Sequence, residues 1–452
     1  MNTHIAFKLK VFNLTRFFLI FIVISFPNIF GQNTPTENTK ETLIQIDSIR
    51  ISGNEITEEE IILRELDFKA GQKVTNSQLE FNKERIFSLG LFNKVELNVL
   101  EEKELQILEI EVFESWYIYP LPYLTIRDNR ISRASYGLML IYKNFRGRNE
   151  TLTGLATFGY NPSYSLSYFN PVLISGENLT FGMSFGYTSI LNRTLISKNL
   201  AGKNFEFDYL YSNLTLGYRL NLFNYLSLSP SFEYFELPPS VSSVSASKTN
   251  IDRVYSAILR YEFDNRNLKQ FSDDGIFATT SFAKKGFGIN NVNFNILSVD
   301  FREYRKLFGD LAAKWRGFYR HTFGKNVPFY ELSVLGDFEF IRGHKYDRRE
   351  GNNYILGSAE VNYPIIKSWD LSLSIPYLPT RLTSARIGIY TNIFFDTGTT
   401  YNNGEPLILK NFDSGWGFGV TMLVLPYNAF RFEYSFNEYG KGEFILESGF
   451  SF

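Results

Sequence analysis

Residues 179–187 read Leu-Thr-Phe-Gly-Met-Ser-Phe-Gly-Tyr. Successive side chains of an extended strand point to opposite faces. Leu179, Phe181, Met183, Phe185 and Tyr187 therefore share one face, and Thr180, Gly182, Ser184 and Gly186 the other. The same period returns further along the chain. Leu214, Leu216, Tyr218, Leu220 and Leu222 oppose Thr215, Gly217, Arg219 and Asn221. Trp416, Phe418, Val420, Met422 and Val424 oppose Gly415, Gly417, Gly419 and Thr421, and Phe430, Phe432, Tyr434 and Phe436 oppose Arg431, Glu433 and Ser435. Working outward from these stretches, period two governs most of 115–452.

A soluble sandwich alternates too, so strand length has to decide. Sandwich strands usually run to about five or six residues, whereas a strand crossing a bilayer needs about 9–11. Several strands here reach that length, and their bulky faces oppose Gly, Ser, Arg and Glu. This pattern suits lipid outside and a polar lumen within. A closed barrel also satisfies its backbone groups in lipid, which an open sheet does not. The reading gives about sixteen antiparallel strands, an even number as such barrels have. They lie near 116–127, 134–145, 151–160, 163–173, 177–189, 205–221, 224–235, 251–264, 275–285, 291–307, 310–323, 353–364, 385–397, 413–425, 427–437 and 443–452.

Composition agrees and narrows the function. The chain has 452 residues, with 45 Phe and 28 Tyr, yet its mean hydropathy is only -0.14. Aromatics must therefore alternate with polar residues. Lys plus Arg is 46 against Asp plus Glu at 47, a balance that argues against a nucleic-acid partner held by phosphate neutralisation. Having no cysteine excludes disulfides, Zn–thiolate sites and Cys nucleophiles. His4, His321 and His344 are scattered, so no metal or other cofactor is expected. No Walker A or H-E-x-x-H occurs, and no enzyme is expected, although His321 or His344 with a serine leaves a barrel lipase as the contrasting reading.

The N-terminus reads as a secretory signal over 1–31. Lys8, Lys10 and Arg16 precede Phe17–Phe26 (FFLIFIVISF), too short to span a bilayer and typical of an h-region. A polar linker follows at 32–42. Residues 43–114 then read as a small β-α-α-β-β domain. Ile44, Ile46, Ile49 and Ile51 mark its first strand, and Thr57 with Glu60 is placed for a capping box. Thr75 opens a second helix that Gly90 stops, and two alternating strands close the unit. An exposed edge in such a domain suits addition of a peptide strand; a plain spacer is the other reading.

Between the eleventh and twelfth strands runs a long charged segment, 324–352, that includes FEFIRGHKYDRREGN at 338–352. Glu360 falls on the polar face of the next strand, and Phe394 and Asp396 on that of the one after. If the segment folds back into the lumen, Arg342 is placed to pair with Glu360 and Asp396, since a guanidinium fork suits two carboxylates. Spacing alone favours a solvated loop charge.

The exported chain resembles the BamA/TamA superfamily of outer-membrane assembly factors, in which POTRA domains precede a sixteen-stranded barrel. The resemblance is carried by IRISGNEIT (49–57) and SLGLFNKVEL (88–97) in the small domain. In the barrel it is carried by Ile341-Arg342-Gly343-His344, similar to the family's R-G-aromatic lumen loop, by Glu360, and by Phe394-Phe395-Asp396-Thr397-Gly398, similar to F-x-D-x-G. It implies a clamp in which Glu360 and Asp396 hold Arg342 with Phe394 against it. His344 stands where the family has an aromatic residue, which implies a looser tip, and one POTRA domain stands where central assembly factors have several. The resemblance further implies an outer-membrane barrel with a periplasmic POTRA domain and a seam between the first and last strands. Pro120 and Pro122 on the first strand, and Phe450 and Phe452 on the last, would flank that seam. The implied partners are outer-membrane lipids, unfolded client proteins and accessory periplasmic or lipoprotein subunits. A dedicated two-partner secretion pore and a passive channel stay open as alternatives.

Overall fold

The computed structural model describes residues 42–127, 130–336 and 338–451. The signal segment, most of the linker and Phe452 lie outside the described residues.

The N-terminal domain consists of β1 (Ile44–Gln45), β2 (Ser48–Ser52), α1 (Glu59–Leu63), β3 (Lys73–Val74), α2 (Asn76–Phe87), β4 (Phe92–Glu102) and β5 (Leu105–Glu114). The expected β-α-α-β-β order is present, with its first strand split in two and the short β1–β3 pairing added. The main sheet has the order β2-β5-β4. Ile61, Ile62, Ile86, Phe87, Leu108 and Ile110 are fully buried between this sheet and the helices. Thr75 caps α2 by accepting a hydrogen bond from the Gln78 N–H at 3.1 Å. The Thr57–Glu60 capping box does not form. A buried carboxylate, Glu114, takes the Thr57 hydroxyl and N–H, each at 2.7 Å, and the Ile56 N–H at 3.0 Å. Helix α1 instead starts after Glu58 without a side-chain cap, because a charged acceptor outcompetes a local cap.

Sixteen further strands form one antiparallel sheet: β6 (Ile118–Ile126), β7 (Ala134–Phe145), β8 (Glu150–Gly159), β9 (Ser163–Asn170), β10 (Leu179–Leu191), β11 (Glu206–Arg219), β12 (Asn224–Glu236), β13 (Ile251–Asp264), β14 (Gly275–Lys285), β15 (Asn293–Phe308), β16 (Leu311–Lys325), then β19 (Asn353–Ser372), β20 (Ser384–Tyr401), β21 (Asp413–Leu425), β22 (Asn428–Asn437) and β23 (Gly442–Ser448). A two-stranded hairpin, β17 (Ser333–Leu335) and β18 (Arg349–Gly351), lies within the connection from β16 to β19. Strands sequential in the chain are neighbours in the sheet, as expected for an up-and-down barrel. The bulky row reads outward: Trp416, Phe418, Phe432 and Leu216 are exposed, while Glu433, Thr421 and Asn392 on the opposite parity are buried.

Two boundaries differ from the sequence reading. β19 runs eight residues past 364, through irregularities at Pro364/Ile366 and Ile366/Trp369. β23 ends at Ser448, because Gly449 takes φ +126° and turns the chain away. Phe450 consequently lies beyond the last strand rather than along its edge.

The small domain sits on one rim of the barrel, here called the proximal rim. Glu65 accepts from Arg219 of β11 at 2.8 and 3.1 Å and from Arg85 of α2 at 3.2 Å. Arg85 reaches on to the Asp264 and Leu222 carbonyls, both at 3.2 Å. Arg386 of β20 donates to Glu84 at 2.9 Å and stacks over Phe87. Burial alone would push the Glu65 carboxyl up, but Arg219, Lys269 and Arg85 hold it below the usual carboxylate range. Glu65→Ala leaves two arginines unpaired in a buried joint, a loss of about 3–5 kcal/mol. Amide hydrogen exchange in α2 should accelerate more than about 100-fold. The difference from wild type should shrink below about pH 4, since a depressed carboxylate loses its contribution as it protonates. An unchanged exchange rate would count against this joint.

Candidate functional site

The connection between β16 and β19 enters the lumen and is held at two places. The first is apolar. Phe329 is buried against Phe205 and Phe207, and Tyr330 stacks on Phe235 at 3.7 Å. Beside them Lys285 joins Glu331 to Glu233, each at 2.6 Å.

The second is ionic. Arg342 is 4% exposed. Its Nε and Nη2 grip Asp396 at 2.7 and 2.8 Å, and its own N–H donates to Asp396 at 3.1 Å. Nη1 donates to Glu360 at 2.9 Å and to Glu433 at 3.1 Å. The guanidinium lies 3.6 Å from the centre of the Phe394 ring, a cation–π contact in a desolvated site. Lys314 of β16 lies 3.0 Å from Glu360, and Arg431 lies 3.7 Å from Glu433. Three cations thus face three carboxylates, which is how buried charge remains tolerable. The solvated-charge reading of Arg342 is corrected here: the loop folds inward, and only folding brings 342 beside 360, 396 and 433.

The rest of the motif has defined contacts. Ile341 is buried with Leu335, Tyr354 and Leu356. Gly343 takes φ +98° and donates its N–H to Glu443 of β23 at 2.9 Å. His344 does not loosen the tip. It is 5% exposed, with Asp347 at 2.9 Å from Nδ1 and Glu438 at 2.6 Å from Nε2. His344, Asp413 and Glu438 offer ligand atoms within 4.8 Å of one another. Both His344 nitrogens already have carboxylate partners, however, and Arg349 pairs with Asp413, so the ligand atoms of His344 and Asp413 are already engaged.

The glycine row on β21 has a steric purpose. A Cβ on Gly415 would lie 1.6 Å from the Arg342 carbonyl oxygen, and one on Gly417 2.7 Å from the Phe394 ring. Gly398 lies beside Ile341 and Leu335. Gly415→Ala should therefore unseat the loop and expose Lys345 and Arg348 to trypsin added from the distal side. A loop as resistant as wild type would contradict this steric role.

Residues 144–452 match the Omp85 superfamily domain, and residues 44–115 match the POTRA type of surface antigen variable number repeat. The chain belongs to the Omp85 superfamily. It is 22% identical over 321 residues to the outer membrane protein assembly factor BamA of Nitratidesulfovibrio vulgaris, covering 68% of this chain but 38% of that relative. The chain thus spans well under half of that protein's length. A BamA structure from Haemophilus ducreyi lacking POTRA domains 1–3 superposes with a TM-score of 0.54 at 17% identity, over 90% of this chain and 84% of that one. CdiB from Escherichia coli gives 0.53 at 11%, over 89% and 75%. These likenesses establish a shared fold: a POTRA domain followed by a sixteen-stranded barrel.

In this Omp85 chain the barrel's ends form a second site. Among the described residues no ladder joins β6 to β23, so the sheet carries two unpaired edges. Pro120 and Pro122 lie in β6, opposite Leu140 and Leu138 of β7, and an edge strand is one of the places in a sheet where proline is tolerated. Past Gly449 the chain turns inward, where Lys314 binds the Ser451 hydroxyl and its carbonyl, the latter at 3.3 Å. The sequence reading missed Glu433, Glu443, Glu438, Lys314 and Gly415. Parity put Glu433 on the polar face of its strand, but nothing in the sequence said which inward acid the loop would meet.

Proposed function

We propose that this Omp85 protein inserts and folds other outer-membrane proteins. The POTRA domain would lie in the periplasm and receive the unfolded client, with an edge of its β2-β5-β4 sheet offered for strand addition. The observation that carries the reading is the pair of unpaired edges on β6 and β23. In lipid, an exposed row of N–H and C=O groups costs several kcal/mol per unsatisfied group. An incoming strand relieves that cost by pairing, the reaction that ordinary sheets are built to avoid.

The lumen supports this reading over a passive channel. Arg342 crosses to β19, β20 and β22, while Phe329 and Tyr330 fill the interior beside β11 and β12. A client routed along the seam does not need an empty lumen. Nothing in this mechanism asks for a cofactor or for bond-making chemistry.

The test is reconstitution. The full mature chain in phosphatidylethanolamine/phosphatidylglycerol vesicles should accelerate folding of a urea-unfolded outer-membrane barrel at least tenfold, read by its heat-modifiable gel mobility. Folding no faster than in empty vesicles would refute the insertase. If depletion in cells then left other barrels unchanged while trapping one secreted protein, the chain would be a dedicated secretion pore.

A further inference from the structure

We propose that the overhang of β19 and β20, residues 363–385, is a lipid-binding hairpin that seats in the proximal membrane leaflet beneath the seam. This rests on the membrane-barrel orientation above, but not on insertase activity.

Four observations point to lipid. First, β19 pairs with β16 only as far as Asn362, and β20 pairs with β21 only from Arg386. The residues between join no ladder except the one they form with each other. The turns 309–310 and 426–427 on the proximal rim are two residues long, as barrel turns on this side often are, whereas 171–178 and 265–274 are longer.

Second, the overhang is apolar and uncovered. Ile365 is 62% exposed, Trp369 54%, Ile375 42% and Tyr377 fully exposed, with Leu373 and Leu378 beside them. A continuous patch of this kind marks a binding surface.

Third, the patch continues a lipid-facing row. Val361, Tyr363 and Ile365 prolong the outward parity of β19, and Ile393 lies on the outward face of β20. The outward row of the wall continues as far as Ile365, where the irregularities at Pro364/Ile366 and Ile366/Trp369 begin. Trp369 and Tyr377 are of the side-chain types that favour the headgroup level.

Fourth, the hairpin does not hang free below the rim. The Arg381 carbonyl accepts from the Tyr427 hydroxyl and from Asn93 Nδ2, both at 2.9 Å, and Arg381 donates to Glu55 at 2.6 Å. Tyr427 meets the Tyr119 ring of β6 at 6.0 Å. The irregularities in β19 let the strand bend, and the one-turn helix Thr380–Thr383 thereby reaches the rim at the first barrel strand. Its polar contacts are spent on the POTRA domain and the rim, so the exposed apolar residues are left for the leaflet.

The chain has no cysteine, so single thiols can be placed cleanly. Tyr377→Cys, Val420→Cys on the barrel wall and Leu407→Cys on the distal loop are each labelled with the fluorophore NBD. The full chains are then folded into phosphatidylethanolamine/phosphatidylglycerol vesicles carrying nitroxide-labelled acyl chains. The label at 377 should be blue-shifted, shielded from iodide and quenched by the nitroxides several-fold more than the label at 407, approaching the label at 420. Quenching at 420 with an iodide-accessible label at 377 overturns the hairpin proposal and leaves the barrel intact. Loss of quenching at 420 as well overturns the membrane orientation and the hairpin together. Ile375→Cys, two residues away, repeats the test without altering the turn at 377.

Discussion

Arg342→Ala is expected to release the lumen loop and to cost about 3–5 kcal/mol, the penalty for stripping a buried charge network of one partner. The substitution removes four side-chain hydrogen bonds, to Asp396, Glu360 and Glu433, and leaves the main-chain N–H bond to Asp396. Glu360 keeps Lys314 and Glu433 keeps Arg431, but Asp396 loses its bidentate partner. The Phe394 ring loses the cation stacked on it. Arg342→Lys should rescue little, because an ammonium supplies a point charge and not a planar fork. Two readouts check this: the temperature at which the barrel's heat-modifiable mobility is lost, and trypsin cleavage at Lys345 or Arg348. Client folding in vesicles should fall at least tenfold. Unchanged heat stability together with unchanged client folding would remove Arg342 from any central role.

The second large effect belongs to the seam. One cysteine at Leu121 or Leu124 of β6 and one at Phe444 or Leu446 of β23, bridged by a short thiol-specific linker, should abolish client folding. Reduction of a cleavable linker should restore it. In the proposed mechanism the edges are the reactive part: among the described residues no ladder joins them, and β6 carries Pro120 and Pro122. Phe450 is a poorer site for the tether, since Gly449 has already turned the chain inward. A chain with both edges tied and full activity would end the seam mechanism, whatever the state of the loop.

How much of this could be read in advance varies from element to element. The sixteen strands were legible because period two survives without knowledge of any neighbour: Leu179 to Tyr187 alternate whatever β9 and β11 do. Thr75 as the cap of α2 was legible for the same reason, since a cap acts within three residues. Thr57 was not. Its hydroxyl goes to Glu114, a partner that becomes available only once β5 has folded beside it. The acids of the clamp divide similarly. Parity alone turned Glu360, Asp396 and Glu433 inward, and family likeness singled out the first two, while the part of Glu433 and Lys314 appeared only in three dimensions.

Alternation, strand length and composition therefore specified a small β-α-α-β-β domain and a long-stranded barrel with an apolar outer face from local chemistry, because each depends on near neighbours in the chain and on the solvent. Tertiary structure alone decided that Arg342 is buried, that Gly415 must lack a Cβ and that, among the described residues, β6 and β23 share no ladder. It also decided that 363–385 runs past its neighbours and bends to the rim. Each of these depends on which distant residues share a space, through long-range packing and the pairing of charges in a low-dielectric interior. A one-dimensional pattern carries no record of those distances.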